Sequence, residues 1–374
     1  MAKQVDIAPS SATGSLWLDK FVRHRVATMR GFPPGKTLDY LKKVADVPAS
    51  DFVKLNSNEN LYGCSPRVMK ALCNLSTAHL YPDHTQNEFR EMAAKYAGVS
   101  LDRIVGGSGG TQMIDLVLNV FIDDGDEVIF TVPSYEVFRT RLLVRGATVV
   151  DVPRDKDFNV NVADVKNAVT RKTKMIVLVN PNNPSGNLTP QKDVIEILEL
   201  EVPVLIDEAY YEFCGETSVP LLDRYENAFV LRTFSKWAGL AGLRIGYGVF
   251  PPYLANQIWK TMPFFSTNAA ASVAVRESFN DMDYLQGNVK KIIAERERMF
   301  AELQKISYLK PFPSKACFIL CAVEGISTQT IDQKLQSKGI LIRLPDSPLL
   351  KNCIRISVGK PEHTDALIHA LKNL

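Results

Sequence analysis

Apolar positions along this chain gather into short runs that recur between stretches of helical spacing. From residue 104 onward the runs fall at 127–132, 147–152, 174–179, 203–206, 228–231 and 245–249. That alternation of strand-like and helical segments predicts a mostly parallel sheet covered by helices on both faces. Past PFFSTNAAASVAV the rhythm changes. A long charged helix (DMDYLQGNVKKIIAERERMFAELQKI) precedes three shorter strand-like runs, FILCAV, ILIRL and CIRISV, with a helix at TIDQKLQSKG. This predicts a smaller α/β domain. Near the start, DKFVRHRVATMR carries Phe, Val and Met at helical spacing, which predicts an amphipathic helix folded against the smaller domain. The resulting division is a flexible tail over 1–14, a large domain over 50–262, and a small domain built from 15–49 and 263–374. No internal repeat or low-complexity region interrupts it.

Composition narrows the class without naming the chemistry. With 374 residues, 46% of them hydrophobic, the chain can bury a large core. A formal charge of +3, from 44 basic and 41 acidic residues, produces no field suited to nucleic acid. Cysteines at 64, 73, 214, 317, 321 and 353 show no CxxC spacing, which points to free thiols in a reducing compartment. The five histidines have no metal-ligand spacing, so no metal is expected. Residues 1–14 lack the apolar core of a signal peptide, and no run of roughly 18 apolar residues could span a membrane. Cytoplasm is the expected compartment.

The candidate chemistry centres on RTFSKWAGLAGLRIGYG, residues 232–248. Lys236 lies there after Thr233 and Ser235 and before Arg244. An amine with a pKa near ~10.4 becomes a nucleophile at neutral pH only if desolvation or a neighbouring cation depresses that value. Two hydroxyls and a guanidinium suit a dianionic phosphate. Alone, the run is equally consistent with a solvated surface lysine. Three upstream segments change that balance. In VPVLIDEAYYEF, Asp207 ends an apolar run and Tyr210 follows, so a carboxylate and a phenol share one strand's carboxyl end. In MIVLVNPNNPSGN, an apolar run enters a turn that presents Asn183. In RIVGGSGGTQMIDLVLNVF, a strand meets glycines and then a helix, so the N–H groups of Gly109, Gly110 and Thr111 would face an anion at the helix start.

The ordered set resembles the histidinol-phosphate aminotransferase family of fold type I pyridoxal-phosphate enzymes over nearly the whole chain. The matching text is LNSNENLYG, LYPD, the glycine turn, VPSY, NPNNPSG, DEAYYEF, RTFSKWAGLAGLRIGYG, AERERMF and IRISVGKPEHTDALI. The resemblance implies that Lys236 is the Schiff-base lysine and proton shuttle, and that Asp207 partners the pyridinium nitrogen. It makes Tyr210 and Asn183 ligands of the ring oxygen and Tyr135 the group stacked on the ring face. Gly109, Gly110, Thr111, Ser235 and Arg244 would take the phosphate, with Thr233 close by. Arg355 would grip the substrate's anionic end beside Arg343. The family pattern further implies a homodimer in which a partner's residue reaches the phosphate, with Tyr62, Asn60 and Tyr81 as candidates, and 2-oxoglutarate as second substrate.

This chain leaves the family pattern around the expected substrate. Phe32 and Phe265 stand where the family carries tyrosines, Cys317 where it often has asparagine, and Thr111-Gln112 where an acidic pair is frequent. Glu136-Val137-Phe138 replaces Gly-Met-Tyr, placing a new carboxylate beside the cofactor, and Asp346 adds a second. Two substrate readings follow. One is histidinol phosphate held by Arg343 and Arg355. The other is a redirected enzyme acting on a basic, guanidino or aromatic amino acid, by transamination or by elimination, cyclisation, decarboxylation or oxidation.

Overall fold

The apolar runs pair side by side. The computed structural model describes Trp17, residues 20–29 and residues 35–374. Its first eight strands are β1 (Val53–Lys54), β2 (Ile104–Gly107), β3 (Glu127–Val132), β4 (Thr148–Pro153), β5 (Thr173–Val179), β6 (Val204–Asp207), β7 (Ala228–Thr233) and β8 (Gly246–Val249). Seven of these form one sheet in the order β2-β8-β7-β6-β5-β3-β4. Neighbours are parallel except at β8, which runs antiparallel to both β7 and β2.

The inner strands β3, β5, β6 and β7 read as mostly apolar runs because both sheet faces are buried there, while the edge strand β4 is largely exposed. Side chains alternate along β5: Ile176 and Leu178 join one core, while Met175, Val177 and Val179 join the other. Helices Val162–Ala168 and Gln191–Leu198 contribute Val165, Val194 and Ile197 to the first core. Helices Gly109–Phe121, Val137–Arg145 and Pro252–Thr261 contribute Met113, Phe138 and Ile258 to the second. The result is a three-layer α/β sandwich.

Beyond helix Met282–Leu303 come β9 (Leu309–Pro311), β10 (Phe318–Val323), β11 (Ile340–Leu341) and β12 (Cys353–Ser357). β10 is antiparallel to both β9 and β12, and β1 pairs in parallel with β11. The run ILIRL yields only a two-residue strand and an isolated bridge between Arg343 and Arg355. Pro345 and Pro348 follow and cannot donate to a ladder.

The residues ahead of β1 divide between two neighbours. Helix Leu38–Val44, capped by Thr37, lies against helix Thr328–Ser337. Lys36 pairs with Asp332 at 2.6 Å and the Tyr40 hydroxyl donates to Gln336 at 3.0 Å. The turn of helix at His24–Thr28 touches helix Val137–Arg145 of the large sheet instead, and Arg25 pairs with Asp124 at 2.5 Å. Residues 1–14 lie outside the described residues.

The ends of β5, β6 and β7 meet at one edge of the sheet. Val179 pairs with Asp207, Asp207 with Leu231, and Thr233 with Gly246, which in turn pairs with Gly107 at the start of the glycine turn. Open α/β sheets hold ligands at this carboxyl edge.

Candidate active site

At that edge lies a cavity of about 500 Å³. Lys236 enters it from the loop after β7, anchored by its buried neighbours Phe234 and Trp237. Its Nζ donates to the Ser57 carbonyl at 3.1 Å. Burial holds its pKa below the usual lysine value, and the guanidinium groups of Arg355 and Arg244 act in the same direction. Asp207 ends β6 with its carboxylate buried, and one oxygen accepts the Ala209 N–H at 3.0 Å. Removal from water pushes its carboxyl up to about 6. A buried carboxylate so placed is a ready partner for a cationic N–H.

The glycine turn and the segment after β7 form a cup. The Ser235 hydroxyl oxygen accepts from Arg244 Nη1 at 3.3 Å and from Thr233 at 2.9 Å, and Thr233 Oγ1 accepts the Ser235 N–H at 3.1 Å. No side chain caps helix Gly109–Phe121, which leaves its leading N–H groups for an anion. Close approach here requires glycine. A Cβ on Gly109 would stand 2.5 Å from Arg244 Nη2, and one on Gly246 would stand 3.0 Å from the Gly110 nitrogen.

Tyr210 and Arg355 share a second network. The Tyr210 oxygen accepts from Asn58 Nδ2 at 3.0 Å and from Asn183 Nδ2 at 3.2 Å. Arg355 Nη1 donates to Asn183 Oδ1 at 2.9 Å, and its Nη2 donates to the Asn56 carbonyl at 2.8 Å. Burial raises the Tyr210 phenol and lowers the Arg355 guanidinium relative to their ordinary values. Tyr135 follows β3 into the same cavity, where burial first and the Asp207 charge second raise its phenol.

Lys236, Asp207, Tyr210, Asn183, Tyr135, Gly110, Thr111, Thr233, Ser235, Arg244, Arg343 and Arg355 thus line one cavity, and Gly109, which is not part of that lining, lies against the Arg244 guanidinium. Other candidates stand elsewhere. Glu136 lines the cavity, but its carboxylate pairs with Arg139 at 3.0 Å on its own helix. Phe265 lies outside the cavity, stacked on the exposed Tyr81 with ring centroids 4.3 Å apart. Tyr62 does not line its own chain's cavity and sits against the ammonium groups of Lys291 and Lys360. Asn60 is committed internally, donating to the Trp237 carbonyl at 2.9 Å. Phe32 lies outside the described residues. Asn56, Ser57 and Asn58, within LNSNENLYG, have no role in the sequence reading, yet each contacts a functional side chain. Their one sequence signal is a polar run, NSNEN, after the short segment FVKL that contains β1. Cys317 is buried nearby, its Sγ 3.9 Å from the Asn58 carbonyl.

This donor set fits a phosphorylated pyridine aldehyde. The cup supplies backbone N–H groups, hydroxyls and a guanidinium for a phosphate, Asp207 supplies a buried anion for a ring N–H, and Lys236 a desolvated amine.

Comparison with known proteins agrees. The family model for aminotransferase class I and II matches residues 50–371. A protein named histidinol-phosphate aminotransferase from Dehalococcoides mccartyi is 45% identical over 95% of this chain and 98% of its own length. Histidinol-phosphate aminotransferase 1, chloroplastic, from Arabidopsis thaliana is 37% identical over 95% of this chain and 86% of its own. Among solved structures, histidinol-phosphate aminotransferase from Sinorhizobium meliloti in complex with pyridoxal-5'-phosphate superposes with a TM-score of 0.83 at 25% identity, covering 94% of this chain and 96% of that one. These similarities do not favour the redirected-substrate reading; of the two carboxylates that its cationic version invoked, both line the cavity and Glu136 is paired with Arg139.

Proposed function

The chain belongs to the aminotransferase class I and II family as a pyridoxal-phosphate-dependent aminotransferase, and on that footing we propose that it moves the amino group of histidinol phosphate to 2-oxoglutarate. The observation that carries this reading is the pair Arg343 and Arg355 in the same cavity as Lys236, in addition to the phosphate cup at Arg244. One cup serves the cofactor. The Arg343 and Arg355 side chains line the same cavity, where two cationic groups suit the substrate's anionic end, whether phosphate or carboxylate.

When bound, the cofactor supplies an aldehyde that captures amines and a protonated ring that accepts an electron pair. Asp207 would hold the proton on the ring nitrogen. Tyr210 and Asn183 would bond the ring oxygen, Tyr135 would cover the ring face, and Gly109, Gly110, Thr111, Ser235 and Arg244 would hold the phosphate. Lys236 Nζ, kept toward its neutral form by burial, is the base that takes the proton from the substrate's α-carbon. Arg355 would orient both substrates so that this carbon faces Lys236.

The proposal extends to a homodimer. Tyr62 stands outside its own cavity, and the aromatic surface of Tyr81, Phe264 and Phe265 is exposed. Both suit a site completed by a second copy, with Tyr62 or Tyr81 as the contributed group, and light scattering reads the mass directly. Cytoplasmic placement rests on the six cysteines, all unpaired. Among the described residues no helix is long and apolar enough to cross a membrane.

The test is glutamate formation from histidinol phosphate and 2-oxoglutarate, with arginine and aromatic amino acids as parallel donors. Histidinol phosphate should be the fastest, and Lys236→Ala should abolish both turnover and the visible absorbance of the holoenzyme. Faster turnover of another donor, or product formed without a keto-acid acceptor, overturns the proposal.

A further inference from the structure

Three consecutive residues each hold one functional side chain. The Asn56 carbonyl accepts from Arg355 Nη2 at 2.8 Å, the Ser57 carbonyl accepts from Lys236 Nζ at 3.1 Å, and Asn58 Nδ2 donates to the Tyr210 oxygen at 3.0 Å. The partners come from β12, the loop after β7 and the turn after β6, more than 150 residues away in each case. Resting on the aminotransferase reading above, we propose that Asn58 is a positioning residue for the transfer reaction. It sets the turn that keeps the base, the phenol and the substrate-binding arginine in register, and it strengthens the hydrogen bond that Tyr210 gives to the cofactor ring oxygen.

The backbone carries the first half of this inference. Asn58 has φ 54°, in the left-handed region that L side chains avoid and that asparagine tolerates best among them. Such a conformation persists only where its surroundings over-determine it. Here they do. Asn58 is 2% exposed. Its N–H donates to Ser357 Oγ at 2.8 Å, its Oδ1 accepts the Ser357 hydroxyl proton at 2.8 Å, and the Ser357 N–H donates to the Leu55 carbonyl at 2.9 Å. Ser357 stands two positions after Arg355 on β12, so the strand that carries the arginine also clamps the turn.

Proton bookkeeping carries the second half. A guanidinium only donates, so Arg355 obliges Asn183 to accept through Oδ1 and to turn its amide N–H toward Tyr210. The oxygen of Ser357 already takes the Asn58 N–H, so its single proton goes to Asn58 Oδ1, which turns the Asn58 amide N–H toward Tyr210 as well. The phenol oxygen therefore receives two N–H groups, and its own proton is left for the cofactor. Each accepted bond polarises the O–H and makes it a stronger donor.

The test uses the holoenzyme and the pH midpoint of its visible absorbance band, read beside kcat and KM. Asn58→Gly keeps the left-handed turn and deletes the amide, so the midpoint should rise and kcat should fall by roughly three- to tenfold, the effect of one net hydrogen bond. Asn58→Asp replaces the donor by an acceptor that competes for the Tyr210 proton, and its midpoint should rise further. Ser357→Ala loosens the clamp and should shift the midpoint in the same direction by less. That variant is the one to read if the Asn58 substitutions do not fold. A loss of kcat with an unmoved midpoint marks a merely structural role and overturns the inference, as does a midpoint and kcat matching wild type. A wild-type protein with no visible band after addition of pyridoxal phosphate instead overturns the proposed function itself, so the two failures are separable.

Discussion

Gly109 offers the sharpest quantitative test of the phosphate cup. Its φ is +76°, and a Cβ built there stands 2.5 Å from Arg244 Nη2 and 2.9 Å from Cζ. Gly109→Ala therefore meets two penalties. The left-handed backbone costs an alanine about 1–2 kcal/mol, and the Arg244 guanidinium has to leave the position in which its Nη1 reaches Ser235 at 3.3 Å. A hydrogen bond to a charged group contributes about 1.5–3 kcal/mol. Losing it from the phosphate would weaken cofactor binding by roughly tenfold to a hundredfold. Absorbance titration of cofactor-free protein with pyridoxal phosphate measures this, and thermal unfolding of the same protein reads the backbone penalty separately. Gly110→Ala is the internal control. The nearest atom to its Cβ is 4.0 Å away, so affinity should stay within about threefold of wild type. If Gly109→Ala binds the cofactor as wild type does, Arg244 and the glycine turn do not form the phosphate site and the reasoning fails.

Three further outcomes follow from the site. Burial pushes the Asp207 carboxyl up to about 6 from an ordinary 3.8, so the folded cofactor-free chain holds this proton more tightly than the unfolded chain does. The resulting penalty on stability is absent below the lower value and fully present above the upper one. Cofactor-free Asp207→Asn should thus melt higher than wild type at pH 8 by on the order of a few degrees and match it by about pH 3; a difference independent of pH refutes the burial argument. In Arg355→Lys, a lysine cannot reproduce the fork that holds Asn183 at 2.9 Å and Asn56 at 2.8 Å. Its kcat/KM should drop at least about tenfold for histidinol phosphate and for 2-oxoglutarate alike, and a loss confined to one substrate contradicts a shared anion site. Glu136→Gln breaks an ion pair with Arg139 at 3.0 Å, and KM for histidinol phosphate should change less than about twofold. A large selective loss with cationic donors would show that Glu136 faces the substrate after all.

Much of this architecture was legible from the chain alone. Six strands of the large sheet lie within a residue or two of the six apolar runs, because strands packed between two helical layers are largely apolar and glycine, proline and asparagine turns punctuate them. The same reasoning placed Asp207, Asn183 and Lys236 at strand ends. Those ends converge because a parallel sheet with regular register aligns them. Lys236 itself was ambiguous from its own segment, and burial, a property of the whole fold, is what lowers its proton affinity.

Local sequence carried no comparable information about partners. The Glu136 carboxylate read as a free anion because pairing with Arg139 depends on the rotamers of a formed helix, and Phe265 read as a pocket residue although it stacks on Tyr81 outside the cavity. NSNEN, within LNSNENLYG, carried only the family resemblance, with no role for Asn56, Ser57 or Asn58. Only when β1 pairs with β11 and Ser357 clamps Asn58 does the turn reach Arg355, Lys236 and Tyr210, across separations of up to 299 residues. Periodicity and turn chemistry are set by neighbours a few positions apart, and they determined the cofactor-binding elements by themselves. Hydrogen-bond polarity and desolvation depend on atoms brought together after the long loops close, so they were decided by the tertiary structure.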